Sequence, residues 1–423
     1  MIFSLDVRRA RKGDCLIVHH GTKDDPGLIL IDAGPAKVYH PHLKPRLAKI
    51  RAARGLNEDD TLPVDLLMVS HIDDDHINGV LELTKELVDA DKAQPLPLKV
   101  RSFWHNSFDN IIGNDPEELL AAVTSSFFGG ASLSGEPETE GLDPDAARVL
   151  ASCEQGFRLR DDAKRLKFRV NPQFQGALVI ATEESEPIDM GKGLRFTVAG
   201  PMREELIKLQ KDHDAFLKKQ KEEKKTKAAL ASFSDTSIAN LSSIVLLAEV
   251  GKKRMLLTGD ARGDKILKGL ELVGLLEKDG TSKMHVDILK MPHHGSDRNV
   301  KPNFFQRITA DHYVFSGDGE HGNPERETLQ MLLDERGDAE FTIHLTYPFE
   351  EIDVEREKDW NMQQKTEKSK KLNKPDTKVR EDWSPKKHSL TSFFAANEDF
   401  EKKVRIVKKD TPHVINLLDK IGF

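Results

Sequence analysis

With 423 residues, 38% of them hydrophobic, the chain is long enough to bury a large core and to divide into two or three domains. A net charge of -7 excludes a globally basic field, so tight non-specific nucleic-acid binding over the whole surface is not expected, while a local basic groove stays open. Two cysteines, Cys15 and Cys153, are too few for a disulfide framework or a cysteine-rich zinc site, and the sequence shows neither a cleavable leader nor a run of about eighteen apolar residues, so the expectation is a soluble, cytoplasmic protein without membrane contact.

Residues 1–100 alternate short β-rich runs with turns. FSLDV, CLIVHH and LILID read as strands, a helix spans about His42 to Arg54, VDLLMVS reads as the next strand, and a helix over roughly Ile77 to Ala90 follows a polar loop. Residues 101–235 are less regular. They hold a loop-like stretch from Gly129 to Pro144, then a Lys- and Glu-dense stretch from Met202 to Leu230. Leu206, Leu209, His213, Phe216 and Leu217 fall near one face there, which predicts a solvated helix docked by a narrow apolar stripe. The strand pattern returns between Ser242 and Tyr347 with SIVLLAEV, a GKK turn, RMLLTG, a helix around Asp264 to Leu276, VDILKM and HYVFSG. One hairpin ends in LILIDAG and the other in MLLTGDA, an echo that reads as a weak internal duplication. From about Arg356 to His388 lysine is in excess and aliphatic residues are few, so an exposed or partly disordered excursion is expected, with VRIVKK and HVINLLDKIGF packing back on the core. The expected division is one domain over residues 1–350, with an insertion over about 101–235, and an excursion plus C-terminal segment over 351–423.

Residues 70–80, SHIDDDHINGV, bring His71, Asp73, Asp75 and His76 within six positions directly after an apolar strand. In an extended segment His71, Asp73 and Asp75 share a face, and a turn after Asp75 brings His76 beside them, with Gly79 freeing the backbone to turn. Consecutive carboxylates repel one another unless a divalent cation sits among them, and neutral imidazoles add lone pairs. Three more strand ends deliver polar groups: Asp32 after LILI, Asp260 after MLLTG, and His293 with His294 after VDILKMP. Convergence of four strand ends on one edge is the usual origin of a site. Adjacent histidines do not easily share one coordination sphere, so one of His293 and His294 is expected to bind metal and the other to orient it or touch substrate. Ser296 and Arg298 are placed to meet an anionic group, with an ordinary surface turn equally open. His105, near the end of another strand, is a further substrate-contact candidate.

The motifs IDAG, SHIDDDHINGV, TGDA and PHHGS, in that order, resemble the metallo-β-lactamase fold superfamily. They are most similar to the branch that includes the hydrolase domain of bacterial DNA-uptake channel proteins of the ComEC type. KGDCLIV and NLSSIVLL extend the likeness to roughly residues 1–100 and 236–325. The resemblance implies an α+β, four-layer αββα sandwich, with the helical insertion and charged C-terminal extension added to it. It implies two divalent metal ions, zinc or manganese: His71 and Asp73 on the first, Asp75, His76 and one of His293 or His294 on the second, Asp260 bridging, and Asp32 bracing from behind. Asp73 stands where the wider superfamily has histidine, and Asn240 stands near another expected histidine, so the first site is short of nitrogen and open to weak filling. A GHP-like loop would fall in SGDGEHGNPE, making His321 or Asn323 a phosphate contact.

The implied activity is metal-dependent hydrolysis of a phosphodiester, in nucleic acid or a nucleotide, by a metal-bridging hydroxide with Asp75 and Asp260 as catalytic groups. Two alternatives stand beside it. One is acyl hydrolysis of a lactone, lactam or thioester; the other is a non-catalytic module that meets a protein partner through the insertion or the C-terminal extension.

Overall fold

Aliphatic residues at every second position, broken by Gly-, Asp- and Lys-containing turns, build two large sheets. The computed structural model describes residues 1–57, 59–90, 96–106, 144–207, 242–409 and 411–423. Asn240, the loop over 129–143 and most of the helix expected over Met202 to Leu230 lie outside them.

The strands are β1 (Ile2–Val7), β2 (Leu16–Gly21), β3 (Pro26–Ile31), β4 (Leu62–Val64), β5 (Leu66–Met68), β6 (Leu98–Val100), β7 (Phe103–Trp104), β8 (Ile188–Gly191), β9 (Leu194–Gly200), β10 (Val245–Val250), β11 (Lys253–Leu257), β12 (Met284–Lys290), β13 (Ile308–Phe315), β14 (Thr342–Leu345), β15 (Val404–Ile406) and β16 (Val414–Asn416). The first sheet runs β16-β1-β2-β3-β5-β7 and the second β15-β14-β13-β12-β11-β10-β9-β8, with β4 and β6 forming a small pair. In the first sheet β1, β2 and β3 are antiparallel and β3, β5 and β7 parallel; in the second, β9, β10 and β11 are antiparallel and β11, β12 and β13 parallel. The echo between LILIDAG and MLLTGDA is therefore a repeat of pairing pattern. Asp32 and Asp260 both follow the strand at which pairing changes from antiparallel to parallel.

Alternation sorts the core into layers. Leu16, Val18, Ile29, Ile31 and Met68 of the first sheet meet Leu246, Ala248, Met255, Leu257 and Ile288 of the second in one buried cluster. Their neighbours Ile17, Leu28, Leu30 and Leu67 turn the other way, against the helices α1 (Lys44–Ala53) and α2 (Asp74–Asp89). Leu247, Leu256, Leu289 and Tyr313 likewise pack on the outer helices of the second sheet. Those helices lie in chain order beyond α3 (Pro144–Arg165): α4 (Gly263–Leu272), α5 (Pro302–Arg307) and α6 (Arg326–Arg336). Each fully buried aliphatic side chain contributes about 1.5–3 kcal/mol to this arrangement. The architecture is α+β.

The C-terminal segment joins both sheets, because β15 pairs with β14 and β16 pairs with β1. Where composition suggests an exposed or partly disordered excursion, the structure has a long helix, α7 (Phe349–Asn373). Glu, Lys and Gln are good helix formers, and specific anchors hold it. Ile352 is buried, Asp353 accepts from the backbone N–H groups of Leu390 (2.6 Å) and Thr391 (2.9 Å), and Trp360 stacks on His388 at 4.2 Å. The lysines at 365, 368, 370 and 371 stay exposed on it.

Helix α2 starts at Asp74, earlier than the expected Ile77. Gly79 is accordingly not a turn residue but a helical one at a close approach. A Cβ there would lie 2.0 Å from the Ala33 carbonyl oxygen, and its N–H donates to Gly34 at 2.9 Å. The absence of a side chain lets the helix sit against the turn that carries Asp32.

Candidate metal centre

Asp32 leaves β3 in the left-handed region, at φ 54°. That turn aims its carboxylate back at the next strand end. Oδ1 accepts from the Ser70 N–H (2.7 Å), while Oδ2 accepts from the Ser70 hydroxyl (2.6 Å) and from His76 Nδ1 (2.8 Å). The polar loop after β5 is not extended as expected. Asp73 occupies the helix N-cap position, and Asp75 and His76 belong to the first turn of α2, so helical geometry rather than strand alternation sets their directions.

From the second sheet come Asp260, after β11, and the His293–His294 pair, after β12. Asp260 Oδ1 lies 3.3 Å from both His76 Nε2 and His294 Nε2, which are 3.3 Å from each other. Asp75 Oδ2 lies 3.4 Å from His294 Nε2 and 3.9 Å from His76 Nε2. The other oxygen of Asp260, Oδ2, lies 3.6 Å from His293 Nε2 and 3.8 Å from His71 Nε2, and Asp73 Oδ2 is 3.7 Å from that same His71 nitrogen. One carboxylate thus faces a histidine pair with each of its oxygens. The adjacent histidines manage this because both adopt left-handed backbone (φ 46° and 55°), which sets their rings 77° apart in plane and 5.9 Å apart in centre. They divide between the two oxygens of Asp260.

Three further participants emerge only in the folded molecule. Asp14, Lys290 and Ser316 are buried behind the histidines. Asp14 Oδ1 is 3.5 Å from His294 Nδ1, Ser316 Oγ donates to Asp14 and accepts from His294 Nδ1 (2.9 Å), and the Lys290 ammonium pairs with Asp14. Asp14, His76, Asp260 and His294 form a buried group whose ligand atoms lie within 4.8 Å of one another, a set able to hold a metal ion. Asp14 lies on the Nδ1 side of both rings and is neutralised by Lys290. It is a brace for the imidazoles, and the open nitrogens are the Nε2 atoms. The sequence signal was present in KGDCLIV and in the lysine that ends VDILK, a charge inside an otherwise apolar strand.

Donor chemistry fits a divalent cation. His71 Nε2 and Asp260 Oδ1 are buried with no hydrogen-bond partner among the described residues, a costly state that a metal ion relieves. Imidazole nitrogen with carboxylate oxygen suits zinc, manganese or iron. Electrostatics agree. Burial alone would raise the pKa of Asp260, yet His294, His76 and His293 hold it well below the usual carboxylate range; Asp75 is held low in the same way against burial, chiefly by His76. Burial would lower His76, but Asp260, Asp32 and Asp75 raise it well above its ordinary value, and His294 is raised to about 10 against burial, mainly by Asp260. His71 moves the opposite way, to about 3, through burial and then His76, and burial likewise lowers His293. At Asp32 burial outweighs His76 and raises the pKa.

The remaining expected contacts are spread around this centre. Ser296 is buried and its N–H closes the turn onto the His293 carbonyl (3.0 Å), whereas Arg298 is exposed. His321, at φ 62°, lies 3.4 Å from the Lys12 ammonium. Asn323 is buried in the same loop, its carbonyl accepting from Gly319 N–H at 2.9 Å. His105 stacks on Phe103 and donates its backbone N–H to Asn171 Oδ1 at 3.0 Å.

No protein-family model matches the chain. A stretch of 92 residues, 21% of the chain, is 34% identical to Microtubule-associated protein 1A of Rattus norvegicus and of Mus musculus. It spans 3% of the length of those relatives, too little to show a family. Among the described residues no helix is long and apolar enough to cross a membrane.

Proposed function

We propose that the chain is a metal-dependent hydrolase with the metallo-β-lactamase sandwich, similar to the ComEC-type branch, and that it cleaves phosphodiesters. The observation that carries this reading is Asp260, whose two oxygens each face two histidine nitrogens and, through them, Asp75 or Asp73. That is the donor distribution for two adjacent divalent ions sharing one carboxylate. The packing of two sheets face to face with helices on both outer faces, and the arrival of the donors in the segments that follow β5, β11 and β12, support the same fold.

On this reading His76, His294 and Asp75 would hold one ion and His71, His293 and Asp73 the other, with Asp260 within reach of both. His293 supplies the first position with a second nitrogen, which offsets the shortage implied by Asp73 and Asn240. Bound divalent ions supply Lewis-acid polarisation of a phosphoryl oxygen and a water of lowered pKa. The chain's own groups do the rest: Asp32 fixes His76, and the side chains of His293, Asp73 and Asp75 keep 28%, 23% and 16% exposure, so substrate reaches the centre from their side. Lys12 stands 3.7 Å from Asp74 beside that opening, and Arg298 is exposed after the histidine pair. Such cationic groups favour a phosphodiester, in nucleic acid or nucleotide, over a neutral lactone. A cytoplasmic location belongs to the same reading.

Elemental analysis of the purified chain, then turnover of bis-aryl phosphate, single- and double-stranded DNA, RNA and lactones with added manganese or zinc, tests it. Bound divalent metal and metal-dependent phosphodiester cleavage are expected. Lactone turnover alone would replace the substrate class, and no turnover of any ester by a metal-loaded protein would overturn the enzymatic reading.

A further inference from the structure

Asp14 and Lys290 are fully buried charges, and burying such a pair is costly before pairing restores it. Replacing a buried ion pair by apolar residues of similar volume is often neutral or stabilising, so its place beside the metal centre needs a local explanation. The hydrogen-bond chain supplies one. Lys290 Nζ pairs with Asp14 and donates to the carbonyl of Gly259 (3.0 Å), the residue before Asp260, while standing 3.7 Å from Asp260 Oδ1. Asp14 accepts from Ser316 Oγ, and that hydroxyl, its proton committed, accepts from His294 Nδ1 at 2.9 Å. His294 thereby keeps its Nδ1 proton, and Nε2, the nitrogen that faces Asp260 and Asp75, is the one a divalent ion would take. His76 receives the equivalent support from Asp32.

We propose that Asp14, Lys290 and Ser316 are positioning residues. Lys290 locks Asp14 and the Gly259–Asp260 turn in place, and Asp14 acts through Ser316 to set the tautomer and direction of His294 for one divalent ion. The inference rests on the metal-binding part of the reading above, not on the substrate. It gives the site a second carboxylate brace, supplied by the loop before β2 and reaching a ligand on the opposite sheet.

The test is the affinity and stoichiometry of Mn2+ and Zn2+ in the full chain, by chelator competition, with Co2+ absorption as the spectroscopic readout. The variants are Asp14→Asn, Ser316→Ala and the apolar pair Asp14→Leu with Lys290→Met. Each is expected to weaken one of two bound equivalents by about 10- to 100-fold and to alter the Co2+ band of that position. The apolar pair is expected to do so without losing thermal stability, a split that a merely structural role would not produce. Should Asp14→Asn fail to fold, Ser316→Ala, which removes a single hydroxyl, decides. Unchanged affinity and unchanged Co2+ spectra in the folded variants would overturn the proposal alone; a wild-type chain that binds no divalent metal would overturn it together with the hydrolase reading.

Discussion

Asp32→Asn isolates one charge at the centre of the site while leaving shape almost untouched. Asparagine tolerates the left-handed backbone that Asp32 adopts at φ 54°, so little strain is added. The amide oxygen can still accept from Ser70 N–H, but the amide nitrogen then replaces Oδ2, which faces the Ser70 hydroxyl at 2.6 Å and His76 Nδ1 at 2.8 Å. The hydroxyl can reverse its proton. His76 must either meet a donor with a donor or give up its Nδ1 proton and keep only the one on Nε2, the atom 3.3 Å from Asp260 Oδ1. A hydrogen bond to a charged group contributes about 1.5–3 kcal/mol, and loss of the buried pair should cost about 3 kcal/mol in the metal-free protein, a large share of a normal folding free energy. Metal affinity should fall about 10- to 100-fold. Because the folded pKa of His76 lies above its unfolded value, the stability it contributes is fully present below about pH 6.5 and is lost as pH rises through the folded value, so the deficit of the variant shrinks toward alkaline pH. Urea unfolding in chelator between pH 6 and 9, with metal competition on the same samples, measures both effects. Unfolding free energies within about 0.5 kcal/mol of wild type, at unchanged metal affinity, would show that Asp32 does not hold His76 in place.

Asp75→Ala and His76→Ala should each reduce phosphodiester turnover at least a hundredfold, on the order expected for a lost ligand, while circular dichroism still reports a folded chain; retained activity in both after metal removal would remove the proposed mechanism. Gly13→Ala places a Cβ 1.8 Å from the Asp75 carbonyl oxygen and forces the loop before β2 away from α2, so calorimetry should show a loss of about 1–3 kcal/mol and metal affinity should fall with it. An unchanged melting temperature would show that this loop is not seated on Asp75. Glu325 has its pKa raised to about 8 by burial and by Asp297. Its folded form binds more protons than the unfolded chain between about pH 4.5 and 8, so wild-type stability is lost as pH rises through that window. Glu325→Gln should remove a decline of up to about 5 kcal/mol across that window, and parallel pH–stability curves for the two proteins would contradict it.

Strands were legible because their signal is local. FSLDV, LILID, SIVLLAEV and VDILKM carry two-residue alternation or continuous apolar runs between turns, and each forms a strand. The helix after the histidine loop was visible, but its first turn was not. Asp74, Asp75 and His76 look like loop residues, and only docking of Gly79 against Ala33 settles where the helix begins. Composition left the helix of α7 undecided for a related reason: Lys- and Glu-rich sequence is compatible with disorder or helix, and the anchors at Asp353 and Trp360 are contacts with residues 20 or more positions away.

The order of residues along the chain is enough to place the strand ends and the polar residues near them: Asp32, His71 to His76, Asp260, and His293 with His294. Spacing along the chain places a residue at the end of a strand, but not the direction of its side chain or the partner behind it. Tertiary structure decided that the two histidines divide between the oxygens of Asp260, because their left-handed backbone depends on the packed turn. It also decided that Asp14 and Ser316, 302 positions apart, meet behind His294, and that His76 and His294, 218 apart, face each other. Those contacts exist only when the two sheets close on a common core, so no local pattern encodes them, and the burial that closes the core is what makes each unpaired charge there costly enough to require a partner.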